Sequence, residues 1–233
     1  SNTAIALIEM GANHLKEIEL LAAIAAPSHG YITNFGKAHL EGFGSIEGVV
    51  RGKSELYHFL AKNKGVCLIN SADPIQVSGT QNQKTFSFGT SDKAAVTIQN
   101  IDRGADQNIV IRTEETEIIS QLKGAYNFTN IAAAIAFGYY FKIPVAKIKK
   151  GIEAYNPTNN RSQWHKTDSN TLVLDAYNAN PSSMKAALES FFNTKKEGCV
   201  LILGDMLELG SFADEEHQKI VDLIETKLVG EVL

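Results

Sequence analysis

Cysteine, long apolar runs and basic charge are what this 233-residue sequence has least of. Its two cysteines, Cys67 and Cys199, lie inside apolar strings, GVCLIN and CVLILG. That usage excludes a disulfide-stapled scaffold and a cysteine-built zinc centre, and reads as core thiols in a reduced, cytoplasmic protein. No apolar run approaches the roughly 18 residues of a membrane-spanning helix, so no membrane partner is expected. Twenty-two Lys and Arg stand against 26 Asp and Glu, a net charge of −4. A nucleic-acid binder leaves a basic footprint, so that class is excluded too. With 44% hydrophobic and 21% charged residues, the composition is not that of a disordered chain. What remains is a globular protein long enough for one large domain or two small ones.

Apolar runs and helical stripes alternate over the first 70 residues. TAIALIEM (3–10) reads as a buried strand, and Leu15, Ile18, Leu21 and Ala25 recur at helical spacing. GYITNF (30–35) and GVCLIN (65–70) read as further strands. Between them Ile46, Val49, Val50, Tyr57 and Leu60 form one helical stripe. Such alternation implies βαβ units and a mainly parallel sheet. Residues 84–122 carry short strand-like strings with no helix between them, beginning with KTFSFG and AAVTIQNI, which predicts an antiparallel flap. Helices are expected over 126–141 and, behind Pro144, over 145–155. The polar cluster from Tyr155 to Asn160 marks the expected domain boundary, giving domains of 1–157 and 158–233. A second βαβα series is expected beyond it. TLVLDAY (171–177) and CVLILGDM (199–206) are its strands. Asn180-Pro181 opens a helix with Met184, Leu188, Phe191 and Phe192 on one face. A helix over 213–229 places Ile220, Val221, Ile224 and Leu228 inside. The sequence opens on an apolar strand and closes on Gly230-Glu231-Val232-Leu233, which reads as the start of another. A piece of a longer α/β protein is therefore expected.

Ligands of open parallel sheets bind beyond the carboxyl ends of the strands. Glu9, Asn13 and His14 follow the first expected strand, and Lys37, His39 and Glu41 the second. Ser71 and Asp73 follow the third, and Asp175, Tyr177, Asn178 and Asn180 the fourth. Asp205 and Glu208 follow the fifth. Each alone suits a helix cap or a solvated loop, but five ends with the same bias favour a polar ligand in one cleft. Glu9 and His39 could hold a divalent cation, for which oxygen ligands with one imidazole suit Mg²⁺ or Mn²⁺; His39 also suits a hydrogen-bonded loop position. Lys53 falls on the apolar stripe of its helix. Either its amine snorkels to solvent, or burial disfavours the charged form and leaves a nucleophilic amine in a cleft. GVVRGKS (48–54) resembles a phosphate-binding loop but has three residues between its glycines where that motif has four. It also lies within a helical pattern with no strand before it, so it is read as helix.

Six strings taken in order resemble the Mur ligases: EMGANH (9–14), ITNFGKAHLEGFGS (32–45), RGKSELY (51–57), LKGAYNFTNIAAA (122–134), DAYNANPSSMKAAL (175–188) and LILGDMLELG (201–210). AHLEGFGS, DAYNANP and LGDMLELG resemble the branch that adds D-alanyl-D-alanine. The resemblance implies an α/β fold: a central domain with a mainly parallel sheet, flanking helices and an antiparallel flap, then part of a dinucleotide-fold-like α/β domain. It implies that the N-terminal substrate domain, the phosphate-binding loop and the end of the C-terminal domain lie outside this chain. The implied reaction is ATP-dependent amide formation in peptidoglycan precursor synthesis, joining D-alanyl-D-alanine to UDP-N-acetylmuramoyl-tripeptide through an acyl phosphate, with Mg²⁺. By motif position Glu9 and His39 resemble Mg²⁺ ligands, and Lys53 a carbamylated lysine that completes the set. Asn127 and Asn130 resemble the adenine-side asparagines, Arg161 an arginine reaching ATP, and Asp175 a ribose-contacting aspartate. Asn13, His14, Tyr177, Asn178 and Asn180 lie where substrate is expected. Many relatives have His where Tyr126 stands. A monomer acting on small molecules is expected. The alternatives are a sister ligase adding another amino acid, and a non-catalytic binding module on the same scaffold.

Overall fold

The computed structural model describes residues 4–104, 107–194 and 198–227. The first helix, α1 (Glu17–Ala25), has no side-chain cap of its own at Lys16. The Glu55 carboxylate serves instead, accepting from Lys16 N at 2.7 Å and Glu19 N at 2.9 Å. A carboxylate at a helix N-terminus satisfies its free N–H groups and complements its dipole. Glu55 belongs to α3 (Ile46–Lys62), whose own start is capped by Ser45 accepting from Gly48 N at 3.1 Å. Of the expected stripe Val49, Tyr57 and Leu60 are fully buried and Val50 half-buried, whereas Ile46, in the first turn, is exposed.

A four-stranded parallel sheet runs in the order β1 (His29–Gly30), β2 (Val66–Asn70), β3 (Thr85–Gly89), β4 (Val96–Thr97). β2 is buried along Val66–Ile69, as suits a parallel strand covered on both faces. Cys67 and Ile69 pack with Tyr57 and Leu60 of α3. Burial pushes the Cys67 thiol up to about 11. The alternate residues are in register with Phe86 and Phe88 of β3. Phe88 joins the core of α5 (Phe128–Tyr140), contributed by Ile131 and Ile135. α6 (Val145–Ala154) adds Ile148 to that core. The three strands β5 (Gln99–Ile101), β6 (Val110–Arg112) and β7 (Glu117–Ile119) form the expected antiparallel flap.

KTFSFG and the following AAVT string depart from expectation. They are β3 and β4 of the parallel sheet, because the short helix α4 (Pro74–Gly79) crosses between β2 and β3. Asp73 caps α4 and Pro74 opens it, a start signal present in the sequence. Residues 4–10 are not a buried strand: Leu7 is 92% exposed and Ile5 and Ile8 are largely exposed. No described strand pairs with them, and an apolar run becomes a strand only where a partner supplies the hydrogen bonds. GYITNF likewise pairs only at Gly30.

The second half begins with an antiparallel hairpin, β8 (Gln163–Lys166) and β9 (Thr171–Leu174), in place of the expected βαβ start. The 199–206 string forms no strand among the described residues, and Ile202 is 94% exposed. Leu228 and the Gly230–Leu233 string lie outside the described residues. α7 (Pro181–Phe192) and α8 (Ala213–Lys227) do form. Leu188 of α7, Ile220 and Ile224 of α8, and the loop residues Met206 and Leu209 make one core with Leu40, Phe43 and Val49. Val221 faces outward.

Leu40 and Phe43 belong to α2 (Leu40–Phe43), a single turn lying across α3. Two glycines allow this. A Cβ on Gly48 would lie 2.0 Å from the Phe43 carbonyl oxygen, and one on Gly52 would lie 2.4 Å from the Phe43 ring. The phosphate-loop look-alike is thus a notch in a helix.

Candidate functional site

The segment from β1 to α3 carries Lys37, His39 and Glu41, and α7 and α8 meet it there. The Lys37 N–H donates to Ser182 Oγ at 2.8 Å, and its ammonium pairs with Glu216 Oε1 at 2.6 Å. Glu216 is 5% exposed and also pairs with Lys219 at 2.9 Å. Burial raises its carboxyl, but the two lysines outweigh burial and hold it below the usual carboxylate range. His39 Nδ1 contacts the Glu208 carboxylate. Both residues stand in the left-handed region, at φ 53° and 60°. Such backbone is disfavoured for residues with a side chain and persists where surrounding structure holds it. The Glu41 N–H donates to the Glu208 carbonyl at 3.1 Å, closing the contact.

Lys53 faces inward. Its ammonium donates to the Asn34 carbonyl at 2.8 Å, and burial holds its pKa below the usual lysine value. The stem is covered in part and the amine is held by main chain. Glu9 is exposed with no described partner. Asn13 and His14 donate their backbone N–H groups to Glu17 at 2.7 and 3.1 Å. They press on α2, where a Cβ on Gly42 would lie 2.2 Å from the Asn13 carbonyl oxygen. Glu9, His39 and Lys53 are thus not gathered: His39 is engaged by Glu208, Lys53 by Asn34, and Glu9 by neither. Among the described residues no three His, Cys, Asp or Glu side chains converge as a metal site. In this arrangement the expected set does not fit a Mg²⁺ ion.

A second group forms where β8, β9 and the turn before α5 meet. Tyr126 OH and Ser162 Oγ are 2.8 Å apart, and the Ser162 N–H donates to Asp175 Oδ1 at 2.8 Å. Burial raises the Tyr126 phenol. Asn127 is buried and donates to the Lys123 carbonyl at 2.8 Å; Asn130 reaches Asn127 at 3.5 Å. The Lys123 ammonium lies 4.2 Å over the Trp164 ring. Lys123, Tyr126, Trp164, Asp175 and Phe191 line one shallow pocket. Arg161 stacks 3.7 Å over the exposed Tyr177 ring. Asn178 accepts from its neighbour Ala179 N, and Asn180 caps α7 in a capping box with Ser183. The structure thus brings Asn127, Asn130, Tyr126 and Asp175 into one neighbourhood, while Asn178 and Asn180 are engaged locally.

Sequence reasoning missed Ser162 and Glu216, and gave Lys37 and Glu208 no partner. Glu216 carried a signal. It lies four residues before Ile220 and eight before Ile224 on the buried stripe of α8, the same anomaly that singled out Lys53.

Comparison with known proteins bears on this arrangement. The Mur ligase middle domain matches residues 1–138. The chain belongs to the Mur ligase family. A second family segment, described as Mur ligase, glutamate ligase domain, matches residues 160–233. UDP-N-acetylmuramoyl-tripeptide–D-alanyl-D-alanine ligase of Bacillus subtilis (strain 168) is 34% identical over 221 residues, covering 94% of this chain and 48% of that protein. The ligase of the same name from Escherichia coli (strain K12) is 30% identical over 236 residues, covering 98% and 52%. A crystal structure of MurF from Acinetobacter baumannii superposes with a TM-score of 0.80 at 29% identity, over 92% of this chain and 48% of that one. The chain spans about half the length of the curated relatives it matches. The fold is accordingly that of the Mur ligases: mixed α/β, with a parallel sheet flanked by helices and with antiparallel sheets beside it. No helix among the described residues is long and apolar enough to cross a membrane.

Proposed function

We propose that these residues form the lysine-bearing and hinge-side part of an ATP-dependent ligase that joins D-alanyl-D-alanine to UDP-N-acetylmuramoyl-tripeptide. The observation that carries the reading is Lys53, a half-buried amine on α3 that donates to the Asn34 carbonyl, with its pKa lowered by burial. Supporting it, relatives that carry this ligase's name match 94–98% of the chain. A related MurF structure from Thermotoga maritima, whose likeness extends to the fold, was solved with ADP.

In this reading the tripeptide carboxylate takes the γ-phosphoryl of ATP, the dipeptide amine attacks the acyl phosphate, and phosphate leaves as the amide forms. ATP lies toward Asn127, Asn130, Arg161 and Asp175, and the substrates toward Asn13, His14, Tyr177, Asn178 and Asn180. Neutral Lys53 attacks CO₂, forming the N–C bond and releasing one proton to solvent, which leaves a carbamate. As placed, Glu9, His39 and Lys53 do not gather around one Mg²⁺ ion. No phosphate-loop string occurs in the 233 residues, so the backbone cradle for the phosphates comes from elsewhere. The division between the two parts is proposed at 157/158, in the loop between α6 and β8. The working location is the cytoplasm, consistent with a chain of only two cysteines, and the working form a monomer.

The test is to put these residues in place of the matching segment of the Bacillus subtilis relative and follow phosphate release that depends on D-alanyl-D-alanine. Turnover is expected. Lys53→Ala should abolish it, and a short-chain carboxylate should partly restore it by standing where the carbamate oxygens stood. Full activity of Lys53→Ala would refute the role given to this lysine.

A further inference from the structure

His217 is the most constrained imidazole in the second half of the molecule, and the function proposed above makes no use of it. Its Nδ1 lies 2.7 Å from the Ala213 carbonyl one turn earlier in α8. A carbonyl only accepts, so Nδ1 carries the hydrogen. The other nitrogen faces two groups at once: the Met206 N–H at 3.2 Å and Asp205 Oδ1 at 2.7 Å. A neutral ring accepts from Met206; a protonated ring donates to Asp205. In both forms the ring ties α8 to the corner of the loop that follows residue 204.

That loop sets Glu208. Met206 and Leu209 are buried in the core shared with Leu40 and Phe43, and hold the loop from below. Glu208 stands between them at φ 60°, with its carboxylate on His39 and its carbonyl on the Glu41 N–H. A strained residue keeps its place only while its flanks are fixed. Apolar packing fixes depth, but a hydrogen bond from a ring with one defined tautomer also fixes rotation about the chain.

We propose that His217 is a positioning residue: through Asp205 and Met206 it orients the 205–209 loop so that Glu208 meets the His39–Glu41 turn. Its bearing on catalysis rests on the ligase reading, whereas its hold on the loop does not.

The test is amide hydrogen exchange and ¹⁵N NMR on the 233-residue chain itself, without ligand. The His217 ring should carry a hydrogen on Nδ1, either as the Nδ1-protonated tautomer, the minor form of free histidine, or as the imidazolium. In His217→Phe the Glu41 amide should exchange about tenfold faster, as expected for loss of one backbone hydrogen bond. The amides of Phe43 and Gly44 bond within α2, to His39 and Leu40, and should keep their protection. His217→Gln, which retains an acceptor for Met206, should recover part of the Glu41 protection. A ring without a hydrogen on Nδ1, an unchanged Glu41 in His217→Phe, or equal loss at Glu41, Phe43 and Gly44 would each overturn the proposal. None of these outcomes depends on ligase activity, so failure here is distinct from failure of the function.

Discussion

Two glycines in helices make a matched pair for testing whether the notch in α3 is structural. Alanine is a better helix former than glycine by about 0.8–1 kcal/mol. At Gly151 in α6 a new Cβ meets nothing within 4 Å. Gly151→Ala should therefore raise stability by about 1 kcal/mol, or about 2–4 °C in Tm for a chain of this size. At Gly48 the same gain is opposed. The new Cβ would lie 2.0 Å from the Phe43 carbonyl oxygen and 2.9 Å from its carbonyl carbon. Overpacking a core by one carbon usually costs about 1–3 kcal/mol. The obstacle here is main chain, which cannot swing aside as a side chain can, so the upper end applies. Subtracting the helix gain leaves a net loss of about 2 kcal/mol, or about 4–8 °C. Urea unfolding followed by circular dichroism, with Tm from calorimetry, measures both. If Gly48→Ala were stabilised as much as Gly151→Ala, α2 would not rest on α3 as described.

Other outcomes are expected. Lys37→Met leaves buried Glu216 with Lys219 alone and should cost about 1–2 kcal/mol at neutral pH by urea unfolding. Because the folded-state pKa of Glu216 is lowered, its contribution is complete above the unfolded value of about 4.5 and is lost as pH falls through the folded one. The penalty of Lys37→Met should therefore shrink in acid, and a penalty that did not change with pH would show the pair to be idle. Asn180→Ala removes the α7 cap and should cost about 1 kcal/mol, while Asn180→Ser should keep most of it. In the Bacillus subtilis chimera, Asp175→Ala should raise KM for ATP more than KM for the dipeptide, by about tenfold or more for loss of a charged hydrogen bond. An unchanged KM for ATP would leave Asp175 as the acceptor for Ser162 and nothing else.

The helices were legible because their signals are local. Ser45 before the α3 stripe, Asn180-Pro181 before α7, and the Ile220–Ile224 spacing of α8 each operate within a few residues. Strands were less legible because their hydrogen bonds come from elsewhere in the chain. The 4–10 and 199–206 strings are as apolar as β2, yet β2 alone has described neighbours on both sides. KTFSFG was assigned to the flap because the Asp73-Pro74 start of α4 was overlooked, and with it the crossover that makes β3 parallel. At the site, the residue types and the buried character of Lys53 could be read from spacing. The pairing of His39 with Glu208, or of Lys37 with Glu216, could not, since each joins residues far apart in sequence and depends on how α7 and α8 dock.

Leu40, Phe43 and Val49 belong to the segment matched by the middle-domain family, whereas Leu188, Met206, Leu209, Ile220 and Ile224 belong to the segment matched by the second. Neither segment closes this core alone. Pulling them apart would expose apolar side chains on both, a far larger penalty than a polar hinge carries. The chain should accordingly melt in one cooperative transition, with no half-folded plateau. A cut in the loop from Tyr155 to Asn160 should leave the two pieces associated. Two segments matched by separate families should thus behave as one unit of folding.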